Sequence, residues 1–392
     1  MELFDKNIKR VDRYAYYSES HFEFLNKSNK PVFHEIRNKM ENWIENYPIE
    51  ERDELISRIR SNNDQHFLSA FFELVLHQLF LTLGFKIEVH PQIDNIEKHP
   101  DFLISDKNKN EFYLEAVITT DKTQKQLAQE SILNNIYDSI NKLDTKNFFI
   151  EIIIENLPSK PIPSKKIRLF LEKKLKSLNP DSCEYLLKIG AFDLLPEWEF
   201  DNDGFKIKFR PLPKSKEYRS ETTEKPIGII NNEEIEWIGD RKHLYKSLKN
   251  KALKYKRLGK PYIIAINNLG VFDDISDVIN TLYGFNPRFY RKEIDSIELG
   301  DISTAFWGTK ESPCFKRVDA ILYIDKLYPW SVGVNNLYLL LNPWIESGIN
   351  FLQQFSKFFV EENRLKNTTG KNLYELMNLP EKWPHHISSE II

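Results

Sequence analysis

Cysteine is scarce: the chain carries two, Cys183 and Cys314, too few for a disulfide framework or a thiolate zinc site. Long apolar runs are missing as well. The longest, Phe67 to Leu83, is broken by Glu73, His77 and Gln78, so no segment reads as a membrane span. The opening MELFDKNIKRVDRYAYYSES has no apolar core of signal-peptide type, and the expectation is a cytoplasmic protein without a membrane partner. No Gly-rich phosphate loop, HExxH pair, CxxC or GxSxG occurs, which argues against the chemistries those motifs carry. Excess charge is lacking too. A net charge of −3 and a pI near 6.4 argue against a protein that coats nucleic acid.

What is there describes a globular chain of 392 residues, 41% hydrophobic, 29% charged and 13% aromatic, long enough for two or three lobes. Basic residues cluster at 164–176 (SKKIRLFLEKKLK), 206–219 (KIKFRPLPKSKEYR) and 241–257 (RKHLYKSLKNKALKYKR). Charged helix faces are usually just solvated, so these clusters permit nucleic-acid binding without demonstrating it. Trp330, Trp344 and the other aromatic residues of the C-terminal region could stack bases, although such residues are more often core.

Residues 35–60 read as two short helices around Tyr47-Pro48. Ser61 to Asp64 supplies an N-cap for an apolar helix from about Gln65 to Leu83, which ends at Gly84. Phe85 to Val89 is a strand. A hairpin follows, then a helix from about Thr123 to Leu143, then the near-continuous apolar strand FFIEIIIE (148–155). Beyond a Pro- and Lys-rich interval come a helix over 166–178 and a hairpin turned at Asn202-Asp203-Gly204. Residues 211–226 are Pro- and charge-rich and are expected to be mobile. A helix over 241–258 and the strand YIIAIN (262–267) form a second α/β unit that could extend the same sheet. The fold class expected is α/β, a mixed central sheet flanked by helices. Its divisions are an N-terminal helical region (1–62), a core (63–157), an insertion (158–224), a second α/β unit (225–285) and an α+β C-terminal extension (286–392).

The hairpin HPDFLISDKNKNEFYLEAVITT (99–120) holds the chemistry. Phe102-Leu103-Ile104 and Phe112 to Ile118 flank Ser-Asp-Lys-Asn-Lys-Asn, and a turn centred near Asn108 pairs residues whose numbers sum to about 216. Asp101 then faces Glu115. Directly opposed like charges destabilise a sheet, and burial raises the cost unless a cation is found. A divalent metal ion would resolve the conflict.

The order helix, three strands, helix, strand, with Pro100-Asp101 opening one strand and Glu115 in the next, resembles the PD-(D/E)xK superfamily. Its members are restriction-endonuclease-like enzymes that hydrolyse phosphodiester bonds with Mg²⁺. The likeness covers 64–155 and, more loosely, 241–267. It implies that Asp101 and Glu115 bind the metal, that the Ala116 carbonyl completes the protein's share, and that Mn²⁺ can substitute. It also implies that Glu73, on the helix before the sheet, assists at the metal or its water; the plain alternative is a helix-surface pair with His77 at i+4.

One position departs from the family pattern. Two residues after Glu115 the family has lysine and this chain has Val117, so a cation must come from elsewhere. Lys122 and Lys125 lie just past the strand. Lys251 falls on the face of its helix marked by Leu244, Leu248 and Tyr255, where a lysine is unusual unless its amine meets an acid, although its stem could also snorkel to solvent. His90 and His99 flank the loop before the hairpin and could approach the metal or simply bond backbone. The catalytic candidates are therefore Glu73, Asp101, Glu115, Lys122 and Lys251.

The resemblance implies a Mg²⁺-dependent nuclease, with DNA the first substrate to consider and RNA open, acting in restriction, repair or phage defence. A homodimer or a partner protein of a multi-component system fits that setting. The alternative is an inactive nuclease-fold module that binds nucleic acid or a protein.

Overall fold

The computed structural model describes residues 1–93, 98–120, 122–219, 225–232, 241–255, 258–270, 275–284, 297–298, 305–346 and 348–384. In chain order the first elements are α1 (His21–Lys27), α2 (Pro31–Glu45), α3 (Ile49–Ile59), α4 (Asp64–Thr82), β1 (Lys86–Val89), β2 (Phe102–Ser105) and β3 (Glu111–Thr119). There follow α5 (Gln124–Ile140), β4 (Phe148–Ile154), α6 (Ser164–Lys176), α7 (Pro180–Lys188), β5 (Trp198–Asn202), β6 (Phe205–Pro213) and β7 (Ile227–Asn232). The last are α8 (Arg241–Ala252), β8 (Tyr262–Asn268), α9 (Ile275–Tyr283), β9 (Ile297–Glu298), β10 (Ala320–Asp325), β11 (Leu337–Leu341), β12 (Ser356–Glu361), β13 (Arg364–Thr368) and α10 (Leu373–Leu376). The chain divides into two compact units. One comprises Met1–Arg13, Ser20–Asp121 and Gly239–Ile392; the other comprises Tyr14–Glu19 and Lys122–Ile238.

The first unit is built on a mixed nine-stranded sheet in the order β1-β2-β3-β8-β10-β11-β12-β13-β9. β1, β2 and β3 run antiparallel in turn, and β8 lies parallel to both β3 and β10. α4 starts where the Asn63 side chain accepts from the N–H groups of Gln65 and His66, and stops where Gly84 takes φ +84°. Between those caps the helix is apolar on nearly every face and is buried against β1, β3 and the N-terminal helices. α8 lays Leu244, Leu248, Ala252 and the following Tyr255 against Tyr113, Tyr262, Ile264 and Ile266 of β3 and β8.

The second unit carries a four-stranded sheet in the order β5-β6-β4-β7, covered by α5 and α6. β5 and β6 join through Asp203 and Gly204, whose φ values of 52° and 82° suit a two-residue hairpin loop. α6 buries Ile167 and Leu171 and leaves its basic face to solvent.

Three expectations need correction. A core spanning 63–157 does not hold as one body, because α5 and β4 belong to the second unit and β4 pairs with β6 and β7. The helix and strand that follow β3 in its sheet are instead α8 and β8. The segment after Phe209 is not all loop either: Pro211, Leu212 and Pro213 continue β6 opposite Phe148 to Ile150, while 220–224 lie outside the described residues. The C-terminal region is no separate extension, since β10 and β11 sit inside the large sheet. Among the described residues no helix is long and apolar enough to cross a membrane.

Candidate functional site

The β2–β3 hairpin pairs Phe102 with Leu114, Leu103 with Tyr113 and Ile104 with Phe112. Its turn is held by Asp106, whose carboxylate accepts from the N–H groups of Asn108 and Asn110. Continued by one pair, that register sets Asp101 opposite Glu115. Asp101 is fixed at both ends: its carbonyl accepts from His90 N at 2.9 Å, and its Oδ2 accepts from Ala116 N at 2.6 Å. Asp101, Glu115 and the Ala116 peptide thus meet at one point along β3.

Glu115 is fully buried. Lys251 Nζ lies 2.5 Å and Lys254 Nζ 2.6 Å from its Oε1, and the Tyr255 hydroxyl lies 2.5 Å from its Oε2. Positions 251, 254 and 255 are i, i+3 and i+4, so they share one face of α8 and the tightened turn that ends it. The Tyr255 hydroxyl is also 2.6 Å from the His99 carbonyl oxygen, so one proton is shared between two acceptors. Arg317 holds the Tyr255 peptide in place by donating to its carbonyl at 2.7 Å.

Burial pushes the Asp101 carboxyl up to about 7, and the charges of Glu115 and Glu73 push the same way; Lys251 and the Ala116 N–H oppose them. Glu115 on β3 and Glu73 on α4 thus both act on Asp101, just ahead of β2. Glu73, like Glu115, already has a cation of its own. Its Oε1 and Oε2 accept from Arg58 Nη1 and Nη2 at 2.7 and 2.5 Å, in the two-pronged geometry that makes arginine–carboxylate pairs strong. The pairing with His77 does not form. Burial pushes His77 down to about 4, and its ring packs against Tyr47 with centroids 4.7 Å apart.

The structure brings Asp101, Glu115, Ala116 and Lys251 together. Lys122 belongs to the second unit, where its amine contacts both carboxylate oxygens of Glu130 at 2.8 Å. Lys125 is exposed on the first turn of α5. His90 pairs with Glu51 at 2.9 Å, and His99 contributes its backbone carbonyl. Val117 packs into the hydrophobic cluster beneath α8, so the lysines reach Glu115 from the helix covering the strand face on which Val117 lies. Lys254 and the Tyr255 hydroxyl were not anticipated. The signal for them was the same i, i+3, i+4 spacing that singled out Lys251. Of the third basic cluster, Lys256 and Arg257 lie outside the described residues.

Among the described residues no group of three or more His, Cys, Asp or Glu side chains is placed to hold a metal. The oxygen set of Asp101, Glu115 and the Ala116 carbonyl still suits a hard divalent cation, which takes few protein ligands and keeps its remaining positions for water and phosphate. A cation there would also offset the like charges that, after burial, push the Asp101 carboxyl up. Comparison with protein-family models, curated proteins and solved structures finds no match to this chain.

Proposed function

We propose that the first unit is a metal-dependent nuclease that hydrolyses phosphodiester bonds, with DNA the leading substrate. The observation that supports this reading is the convergence of Lys251 and Lys254 on Glu115, next to Asp101, at a strand where Val117 occupies the family's lysine position. Asp101, Glu115 and the Ala116 carbonyl would hold Mg²⁺ or Mn²⁺. Bound there, the ion would activate a water nucleophile and stabilise charge on the departing oxygen.

The chain's own residues do the rest. Lys251 and Lys254 supply two ammonium groups, one for orienting the attacking water and one for a non-bridging phosphate oxygen. Tyr255 fixes the rotamer of Glu115 through its hydroxyl. The Glu73–Arg58 pair sets the background charge felt by Asp101 without itself being free to bind metal.

The test is cleavage of supercoiled plasmid, linear duplex, single-stranded DNA and RNA in Mg²⁺, Mn²⁺ or EDTA. Wild type runs beside Asp101→Ala, Glu115→Ala, Lys251→Ala and Lys254→Ala, with folding checked by circular dichroism. The expected result is metal-dependent cutting abolished by either acid variant and reduced about a hundredfold or more by loss of one lysine, the usual scale for a positioned catalytic group. Folded acid variants that cut as well as wild type would remove this site from consideration. A binding-only module has one observation in its favour, the full neutralisation of Glu115 by the protein's own lysines. It predicts no cleavage and unchanged nucleic-acid affinity in EDTA.

A further inference from the structure

The second unit contains a cavity that the nuclease reading does not use. Its volume is about 260 Å³, and it lies between α5, the Tyr14–Glu19 segment and the sheet edge carrying Ile230. Asp138 positions one wall. Its carboxylate accepts from the N–H groups of Tyr17 and Ser18 at 2.7 and 2.9 Å, which sets the Tyr17 ring against Tyr137, centroids 5.1 Å apart. Leu133 and Leu157 line it with apolar surface.

Part of its polar lining makes no hydrogen bond. Gln129 is 9% exposed and Tyr137 6% exposed, yet among the described residues neither the Gln129 amide nor the Tyr137 hydroxyl makes a hydrogen bond. Asn134, half-buried on the same wall, is likewise unpaired among the described residues. Neither group is among the fully buried atoms left without a partner, so both open onto the cavity, where a ligand that supplies both donors and acceptors can pair with them. Burial raises both tyrosine phenols, so they stay protonated. The charged residues on the wall, Lys122 and Glu130, neutralise each other.

We propose that this cavity binds a single nucleobase, stacked on the tyrosine pair and read at its edge by Gln129 and Asn134. Three properties select that class. The volume falls below the roughly 300–1,000 Å³ of sites for larger ligands, which suits one flat ring system. Aromatic walls hold bases by stacking. Amide side chains present a donor beside an acceptor, the pattern that matches base edges bidentately. The base arrives either as a free nucleoside or nucleotide, or as one unstacked from a strand. The inference concerns the second unit alone and stands whether or not the first unit cuts nucleic acid.

The experiment is calorimetric titration of the full chain, in EDTA so that nothing is cleaved, with adenosine, guanosine, cytidine and uridine. Homopolymeric single-stranded octanucleotides of the four bases follow. The expected result is saturable binding of at least one probe, weakened about tenfold or more by Gln129→Leu, the loss that one bidentate contact implies, and less by Tyr137→Phe. Nucleoside binding identifies a pocket for a free base; binding of octanucleotides alone identifies a base drawn from a strand. Should Gln129→Leu fail to fold, Asn134→Leu at the half-buried edge gives the same readout. The proposal is overturned if no probe binds, or if probes bind the folded variants as tightly as wild type.

Discussion

Lys251 Nζ stands 2.5 Å from Glu115 Oε1 although 136 residues of chain separate them. Neither residue has a reason to be where it is without the other. A carboxylate with no exposed surface needs a cation, and an amine on the packed face of a helix needs an acid.

Glu115 shares two lysines, so their removal should be strongly non-additive. Lys251→Met or Lys254→Met alone should cost the folded state about 1–2 kcal/mol, because one amine remains. The double variant leaves a buried carboxylate without a cation and should cost about 3–5 kcal/mol. Urea unfolding of the four species closes the cycle. Single-variant losses that simply sum to the double would mean the amines act independently.

Asp101 should make the metal-free protein less stable as pH rises. Its folded value of about 7 lies above the ordinary 3.8, so the folded state holds the proton more tightly. The stability this provides is fully present below about pH 4 and is lost as pH climbs through 7. Asp101→Asn should therefore melt higher than wild type at pH 8 in EDTA, with the gap shrinking at pH 5. Mg²⁺ should close the pH 8 gap by raising wild type alone. A gap that does not change between the two pH values would contradict the charge repulsion inferred at this site.

Arg58 and Glu73 should behave as one unit. Arg58→Met strands a buried carboxylate and should destabilise by about 3–5 kcal/mol, whereas the Arg58→Met/Glu73→Leu pair should recover most of that loss. The measurement is again denaturant unfolding. A double variant as unstable as the single would show that Glu73 is held by more than its arginine.

Gly204 isolates a purely conformational effect. A Cβ there would meet nothing within 4 Å, yet its φ is +82°. Gly204→Ala should cost about 1 kcal/mol through backbone strain alone, while Gly204→Asn should cost less, because asparagine tolerates left-handed backbone. Thermal melts of the two variants decide it; equal losses would point to something other than φ.

The hairpin register was legible because it depends on local pattern: two apolar runs, a polar turn between them and a pairing sum that the turn fixes. Lys251 was legible for a similar reason, as a charge on an apolar stripe. The sheet to which β4 belongs was not. FFIEIII reads as a buried strand in any sheet, and nothing in its composition names its neighbours. The partner of Glu73 eluded the sequence in the same way, since Arg58 sits on a different helix and no spacing rule links α3 to α4. Lys254 lies i+3 from Lys251 within the helix expected over 241–258, but off the stripe marked by Leu244, Leu248 and Tyr255, and so reads as one more solvated charge.

Apart from Tyr14–Glu19, the second unit lies in the chain between β3 and α8, and this has a consequence for biosynthesis. The acids leave the ribosome early and their lysines only after the inserted unit has been made. Until then β3 has no β8 beside it and Glu115 has no counter-ion, while the inserted unit can already close its own sheet. The order of assembly is therefore written into the connectivity: the interrupted half stays open until translation has passed α8 and β8. A ribosome-bound intermediate stalled before that point would hold the carboxylates without the amines. On the reading proposed above, the nascent chain carries no working nuclease centre until most of its length exists, a safeguard that needs no inhibitor.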